Sequence, residues 1–317
     1  MRLRSSSTIR PIPAAANAAI VGGQLCALGA CFFAAARVHQ GWLVAGLPII
    51  FGILMNSVYS IIHEAEHGML FPNRRANEAV GIFMALFFPA PFHLLRQGHL
   101  GHHLRNRSDD EAFDLYFDGD NRVWKWMVWI GILTGFYYAV VAISNVVAVV
   151  APFIFDRRHF KIDEHVSVDR ASAAFFESFN PKYIGWIRLE GIAAIAIHVT
   201  IVLSLHIPAW HYVAMYACFG FMWSAMQYVH HYGTERHVTR GARNLWISRP
   251  VDLFWLNHNW HRAHHEHPTV PWIYLPAIGQ EQSPQRGFLP WAYLKMWKGP
   301  RQAQEHVENK YAGRIIQ

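Results

Sequence analysis

Four stretches of this chain carry no Asp, Glu, Lys or Arg, and they constrain its fold more than any other feature. They cover residues 14–36, 40–62, 126–155 and 191–234. Uncharged, mostly apolar runs of about 20 residues are typical of helices that span a lipid bilayer. The sequence therefore predicts an all-α, polytopic membrane protein.

The composition supports this prediction and excludes other classes of protein. The chain is 53% hydrophobic and 15% charged, whereas soluble domains are about 25% charged. Its formal net charge of +7 indicates contact with a membrane surface, because no base-reading motif points to nucleic acid. The cysteines Cys26, Cys31 and Cys218 lie in apolar stretches without a Cys-x-x-Cys pair. That excludes a disulfide framework and an iron–sulfur centre of the chain's own.

The apolar stretches also predict a topology. Residues 14–62 and 184–228 each have the pattern of a helical hairpin, and 126–155 is either one long tilted helix or a bent pair. Histidine clusters on either side of these stretches can share one membrane face only if an even number of crossings separates them. We therefore predict four to six spans (four or six by this parity) and a helical cap on the cytoplasmic face that holds a metal site.

The chain shows no repeat or linker that would divide it. We predict a single domain over residues 1–317. Residues 1–13 would form a cytoplasmic N-terminus because they are basic, and residues 277–317 would form a cytoplasmic C-terminal tail.

Three histidine clusters stand beside the apolar stretches. They begin at His63, His99 and His261, and each has the spacing of one helix face. Residues three and four apart on a helix lie about 5–6 Å from one another, so each cluster would direct its imidazoles to one side. The members of the clusters are His63, His67, His99, His102, His103, His261, His264 and His265.

Neutral imidazole is the commonest protein ligand for transition metals. Eight such side chains are too many for one four-coordinate zinc, so the pattern favours two metal ions. His231, just beyond the predicted hairpin over residues 184–228, is a further candidate ligand. Asp109, Asp110, Glu111 and Asp114, together with Glu64 and Glu66, could accept the second ring N–H of a ligand histidine and so orient it.

Other metal chemistries remain open at this point. His63-Glu64-Ala65-Glu66-His67 satisfies the His-Glu-x-x-His pattern of zinc proteases, in which the glutamate is the general base. The same run contains one Glu-x-x-His, but soluble di-iron carboxylate bundles need that motif on two helices. A metal transporter is disfavoured because its ligands lie near the membrane midplane, whereas these histidines gather at helix ends.

The three clusters in this order resemble those of the membrane fatty acid desaturase and hydroxylase superfamily. The similarity is carried by residues 63–71, 93–114 and 227–276, and the run from Asn257 to Pro268 is the most family-like. The resemblance implies two iron ions held by His63, His67, His99, His102, His103, His231, His261, His264 and His265. Gln227 stands where several members place an asparagine that contacts the metal through water.

The resemblance further implies an O₂-dependent oxidation of a lipid or acyl substrate within membrane lipids. Electrons would come from an external electron donor, such as a ferredoxin-like electron-transfer protein, because the chain has no haem or flavin domain of its own. The boxes look most like those of acyl-lipid desaturases, so we favour desaturation of a fatty acyl chain. The alternatives in the same superfamily are a lipid or alkane hydroxylase and a carotenoid ketolase or hydroxylase.

Overall fold

The computed structural model describes residues 10–155 and 170–316, and these residues are mostly helical. Most of the predicted cytoplasmic N-terminus therefore lies outside the described residues. The helices are α1 Ala14–Arg37, α2 Gly41–Glu66, α3 Arg74–Phe87, α4 Phe92–Arg105, α5 Arg122–Thr134, α6 Phe136–Val150, α7 Arg170–Ser178, α8 Ile184–Leu205, α9 Ala209–Val229, α10 Arg249–Phe254, α11 His261–Glu266, α12 Leu275–Gln282 and α13 Leu289–Met296.

Within the described residues, four short strands accompany the helices, all outside the apolar stretches. β1 (Leu115–Tyr116) pairs in parallel with β4 (Arg301–Gln302), and β2 (Asn244–Trp246) pairs in parallel with β3 (Arg286–Phe288). These strand pairs connect loops that are far apart in the sequence. Apart from these strands, the prediction of a helical membrane protein is confirmed.

Three helices are long and apolar enough to cross a membrane: Ala14–Arg37, Val44–Glu66 and Pro181–Leu205. Two bent pairs pass the same test together, α3 with α4 at 101° and α5 with α6 at 92°. By length and composition, the part of the chain that the structure describes therefore has three spans, or up to five. That range overlaps the four to six predicted from the sequence.

The bend between α5 and α6 decides between the two interpretations of residues 126–155. Gly135 has a φ of 96°, in the left-handed region, which glycine adopts at little cost. A Cβ atom at this position would lie 2.8 Å from the backbone nitrogen of Phe221 in α9. The stretch is therefore a bent pair, and α9 packs directly against the bend.

The core is built around α2 and α9, which pack along each other. Phe51, Met55 and Val58 of α2 are fully buried, as is Phe219 of α9. α1 is joined to the loops beyond α2 by hydrogen bonds from the Asn17 side chain to Leu70 O (2.8 Å) and from Trp272 Nε1 to Asn17 Oδ1 (2.9 Å). These contacts hold the ends of the helices that carry the histidines.

Candidate metal centre

The structure brings all nine of the predicted histidines together, in two groups. The first histidine group contains His63, His67, His99, His103 and His264; the second contains His102, His231, His261 and His265. Within each group, one ring nitrogen from every member lies within 4.8 Å of those of the others. Each group thus draws on segments far apart in the sequence.

The first histidine group forms where the C-terminal end of α2 meets α4 and α11. The Nε2 atom of His99 lies 2.7 Å from that of His67 and 3.1 Å from that of His103. The Nε2 atom of His264 lies 3.0 Å from that of His103. Helical spacing therefore directs these rings to one point, as the i, i+4 pattern requires.

The second histidine group lies beside the first. The Nε2 atom of His261 is 3.0 Å from that of His231 and 3.2 Å from that of His265. The ring of His102 completes the group, with centroid distances of 4.8 Å to His231 and 5.1 Å to His265. The rings of His103 and His265 stack at 4.3 Å and so join the two groups.

These nitrogens cannot satisfy one another by hydrogen bonding. A neutral imidazole has one donor and one acceptor, yet His99 Nε2 faces two other ring nitrogens, and His63 Nε2 is buried without a hydrogen-bond partner among the described residues. Burial, and then the neighbouring histidines, lower the pKa of His264 and His265 well below the usual value. The rings are therefore neutral, with lone pairs directed inward, and the donor set fits two transition-metal ions.

The outer nitrogens of two rings have partners that orient them. The Nδ1 atom of His231 lies 2.8 Å from Gly241 O, and the Nδ1 atom of His102 lies 2.9 Å from Glu111 Oε2. Such a partner places the proton on Nδ1 and leaves the lone pair of Nε2 for a metal. The Nδ1 atoms of His261, His264 and His265 are buried without a partner among residues 10–155 and 170–316.

Glu111 is held in place as the acceptor for His102. Arg105 Nη2 lies 3.2 Å from its other carboxylate oxygen. Burial alone would raise the pKa of Glu111, but the charge of Arg105 and the hydrogen bonds from His102 and Arg105 hold it below its usual value. The carboxylate is therefore ionised and accepts the ring N–H.

We expect Glu111→Ala to weaken metal binding by about 10–100-fold, the usual effect of losing the partner that orients a ligand histidine. The matched control is Asp110→Ala in the same loop, because Asp110 accepts a hydrogen bond from Asn309 Nδ2 at 2.9 Å. Competition with a chelator of known affinity measures the difference. Equal affinities in the two variants would contradict the role of Glu111.

Two of the other acids named from the sequence, Asp114 and Glu64, have different partners. Asp114 binds the side chains of Arg107 and Tyr228, and Glu64 Oε2 accepts a hydrogen bond from the backbone nitrogen of Trp272 at 3.2 Å. Gln227 lies 3.4 Å from the hydroxyl of Tyr59, and its contact with a metal through water stays a prediction. Spacing alone did not distinguish Glu111 from Asp110 and Asp114.

Two further histidines border the site. The ring of His258 lies 5.0 Å from that of His63, and the ring of His230 lies 4.5 Å from that of His261. The sequence indicates a role for His230 and His258 only through their positions close to predicted ligands. His93, which precedes the second cluster in the sequence, does not border the site. Its Nδ1 atom lies 2.5 Å from Glu190 Oε1, and its Nε2 atom lies 3.0 Å from Glu78 Oε1.

Residues 40–300, which include every member of both histidine groups, match the family model described as fatty acid desaturase. The chain belongs to the fatty acid desaturase family. It is also 27% identical to a beta-carotene ketolase from Paracoccus sp. (strain N81106 / MBIC 01143), over an alignment that covers 83% of this chain and 92% of the ketolase. This desaturase-family protein is thus an integral membrane oxidoreductase of that superfamily.

Family membership and geometry together weigh against the zinc protease. A protease would need Glu64 directed at its metal as a general base. In this desaturase-family chain Glu64 is hydrogen-bonded to the backbone of Trp272 instead. The remaining histidines of both groups would also have no role around a single zinc ion.

Proposed function

We propose that the two histidine groups hold two iron ions and that the protein is an O₂-dependent oxidase of a long apolar substrate. The observation that carries this proposal is the convergence of nine buried or half-buried imidazoles into adjacent groups of five and four. Imidazole ligands suit Fe(II) and add no negative charge to it. The family match is consistent with this assignment, since it covers all nine side chains.

An iron pair bound in this site would supply oxidation of an unactivated C–H bond with O₂ as the oxidant. The chain's own residues prepare the position: the histidines offer neutral nitrogens, and Glu111 and Gly241 O orient two of them. Electrons would come from an external electron-transfer protein of the ferredoxin type. The site would lie on the cytoplasmic face, as the basic N-terminus predicts.

An aromatic wall next to His63 supports an apolar substrate. The ring of Tyr59 lies 6.4 Å from that of His63 and 5.5 Å from those of Phe88 and Trp223. Phe88 and Trp223 belong to the buried core between α2 and α9. A chain that enters from the lipid along these helices would therefore meet apolar side chains up to the first histidine group.

Desaturation of a fatty acyl chain is our first candidate activity. The histidine boxes resemble those of acyl-lipid desaturases, and the matching family model carries the fatty acid desaturase description. Removal of two hydrogens from neighbouring carbons would give a double bond. Those two hydrogens, with two electrons from the donor and two protons from water, would reduce O₂ to two water molecules.

Oxygenation of a carotenoid is the second candidate, and the similarity to a beta-carotene ketolase favours it. The alignment covers most of both chains, so the likeness is not confined to the histidine boxes. A ketolase replaces two hydrogens of one methylene by an oxygen atom, and a hydroxylase inserts one oxygen.

The test is mass spectrometry of lipids from a host that makes β-carotene and expresses the chain, compared with the same host expressing His264→Ala. An acyl chain lighter by two hydrogens would show desaturation, and a carotenoid with one oxygen more and two hydrogens fewer would show ketolation. A hydroxylated acyl chain or carotenoid would carry one extra oxygen. Identical lipids in both hosts, with both proteins present in the membrane, would contradict the proposed function.

A further inference from the structure

α13 carries apolar side chains on two opposite faces, but only one of these faces is covered. Leu289, Ala292 and Met296 are buried against the rest of the protein. On the opposite side Trp291 and Leu294 are 61% and 53% exposed. Phe288 before the helix and Trp297 after it are also exposed, at 43% and 48%. We name the four exposed residues Phe288, Trp291, Leu294 and Trp297 the C-terminal apolar surface.

The helix is attached to α5 and α9. Trp129 Nε1 in α5 donates a hydrogen bond to Met296 O at 2.9 Å, and Tyr293 OH donates one to Leu133 O at 3.1 Å. The ring of Tyr293 also contacts that of Phe221 in α9 at 6.0 Å. α13 is therefore not part of a detached tail, because it is hydrogen-bonded to α5 and packs on α9.

The exposed apolar side chains continue onto α5. Met127 is 60% exposed, and Trp124 and Trp126 are each 41% exposed. α5 and α6 together form one of the two bent pairs that are apolar enough to cross a membrane. Trp126 also packs at Gly299, directly after α13. The C-terminal apolar surface thus adjoins a segment that is apolar enough to cross a membrane.

The composition of α13 suits the boundary between lipid headgroups and acyl chains. Tryptophan is enriched there because its ring is apolar and its N–H is polar. Lys295 and Lys298 stand beside the apolar residues and are exposed. Their long stems can lie along acyl chains while the ammonium groups reach the lipid phosphates.

We propose that the C-terminal apolar surface inserts into the lipid bilayer, so that α13 lies in the plane of the membrane. Helices of this kind bury their apolar face about 5–10 Å into the boundary region. This revises the expectation of a wholly cytoplasmic tail over residues 277–317. Lipid, and not a second protein chain, covers the C-terminal apolar surface.

The test uses a nitroxide label at Leu294→Cys in the full chain, with Cys26, Cys31 and Cys218 replaced by alanine. The labelled protein is placed in vesicles of phosphatidylcholine and phosphatidylglycerol. Collision rates are measured with O₂, which concentrates in lipid, and with a water-soluble nickel chelate. The matched control is Glu308→Cys, another exposed C-terminal position, which lies outside any helix or strand. Trp291→Cys serves as a second labelled position, and elution as a single species verifies folding.

At Leu294 and Trp291 we expect an O₂-to-nickel collision ratio several-fold higher than at Glu308. Equal ratios at the three positions would overturn the proposal, because the surface would then be in water. Labels shielded from both reagents, with spin–spin broadening between chains, would overturn it in favour of a second copy. None of these readouts depends on iron or on turnover, so the result is separate from the proposed function.

Discussion

Replacing His264 by alanine is expected to abolish activity and to lower the iron content of the purified protein. His264 belongs to the first histidine group, and its Nε2 atom lies 3.0 Å from that of His103. Loss of a partner that merely orients a ligand costs about 10–100-fold in affinity or activity. Loss of the ligand itself should therefore cost more than about 100-fold in product formed. Metal analysis and mass spectrometry of the product measure the two effects.

The matched control is His267→Ala, three residues further along the chain. His267 follows α11 and its Nε2 atom lies 2.8 Å from Gln282 Oε1, away from both groups. We expect this variant to keep its iron and its activity. If His264→Ala retained a full complement of iron and normal turnover, the assignment of the first histidine group as a metal site would be wrong.

Replacing Asp114 by alanine is expected to lower the free energy of unfolding, and this is the second large effect that we expect. The side chains of Asp114 and Arg107 are fully buried and paired, at 0% and 1% exposed. Tyr228 OH lies 2.7 Å from Asp114 Oδ1, and Gly233 N donates to Asp114 Oδ2 at 2.8 Å. Removing one partner of such a pair leaves an uncompensated buried charge, which costs about 3–5 kcal/mol in the free energy of unfolding.

Thermal unfolding in detergent measures this loss, and Asp118→Ala is the control because Asp118 lies on the surface and contacts Gln302. The wild type should also lose stability in acid. Burial would raise the pKa of Asp114, but Arg107 holds it below its usual value. The stabilisation is then complete above the unfolded pKa of about 4 and is lost as the pH falls through the lower pKa of the folded chain. An unchanged unfolding midpoint in Asp114→Ala would refute the role of this network.

Much of the membrane architecture could be predicted because uncharged stretches of sufficient length have few alternatives in a bilayer. The hairpin of α1 and α2 follows directly from residues 14–62. The sharp bend at Gly135 did not follow, because the close approach of Phe221 from α9 determines it. Strands of two or three residues, such as β1 and β4, are too short to produce a periodic pattern.

The candidate site was predictable to a different extent. Helical spacing indicated which histidines would face one another, and all nine indeed lie together. It could not indicate how they divide, since adjacent members of one cluster, His264 and His265, belong to different groups. Nor could it show that Glu111 contacts His102 while Asp114 pairs with Arg107. Those choices depend on the packing of loops, and the identity of the metal remains a prediction.

The division of neighbouring histidines between the two groups has a consequence for biogenesis. His264 completes one group, and His261 and His265 complete the other. Neither binding pocket has all its donors until the ribosome has synthesised the chain beyond residue 265. If the two groups hold metal ions, complete loading would therefore follow translation and membrane insertion of nearly the whole polypeptide, and a nascent chain stalled before α11 would possess neither complete group.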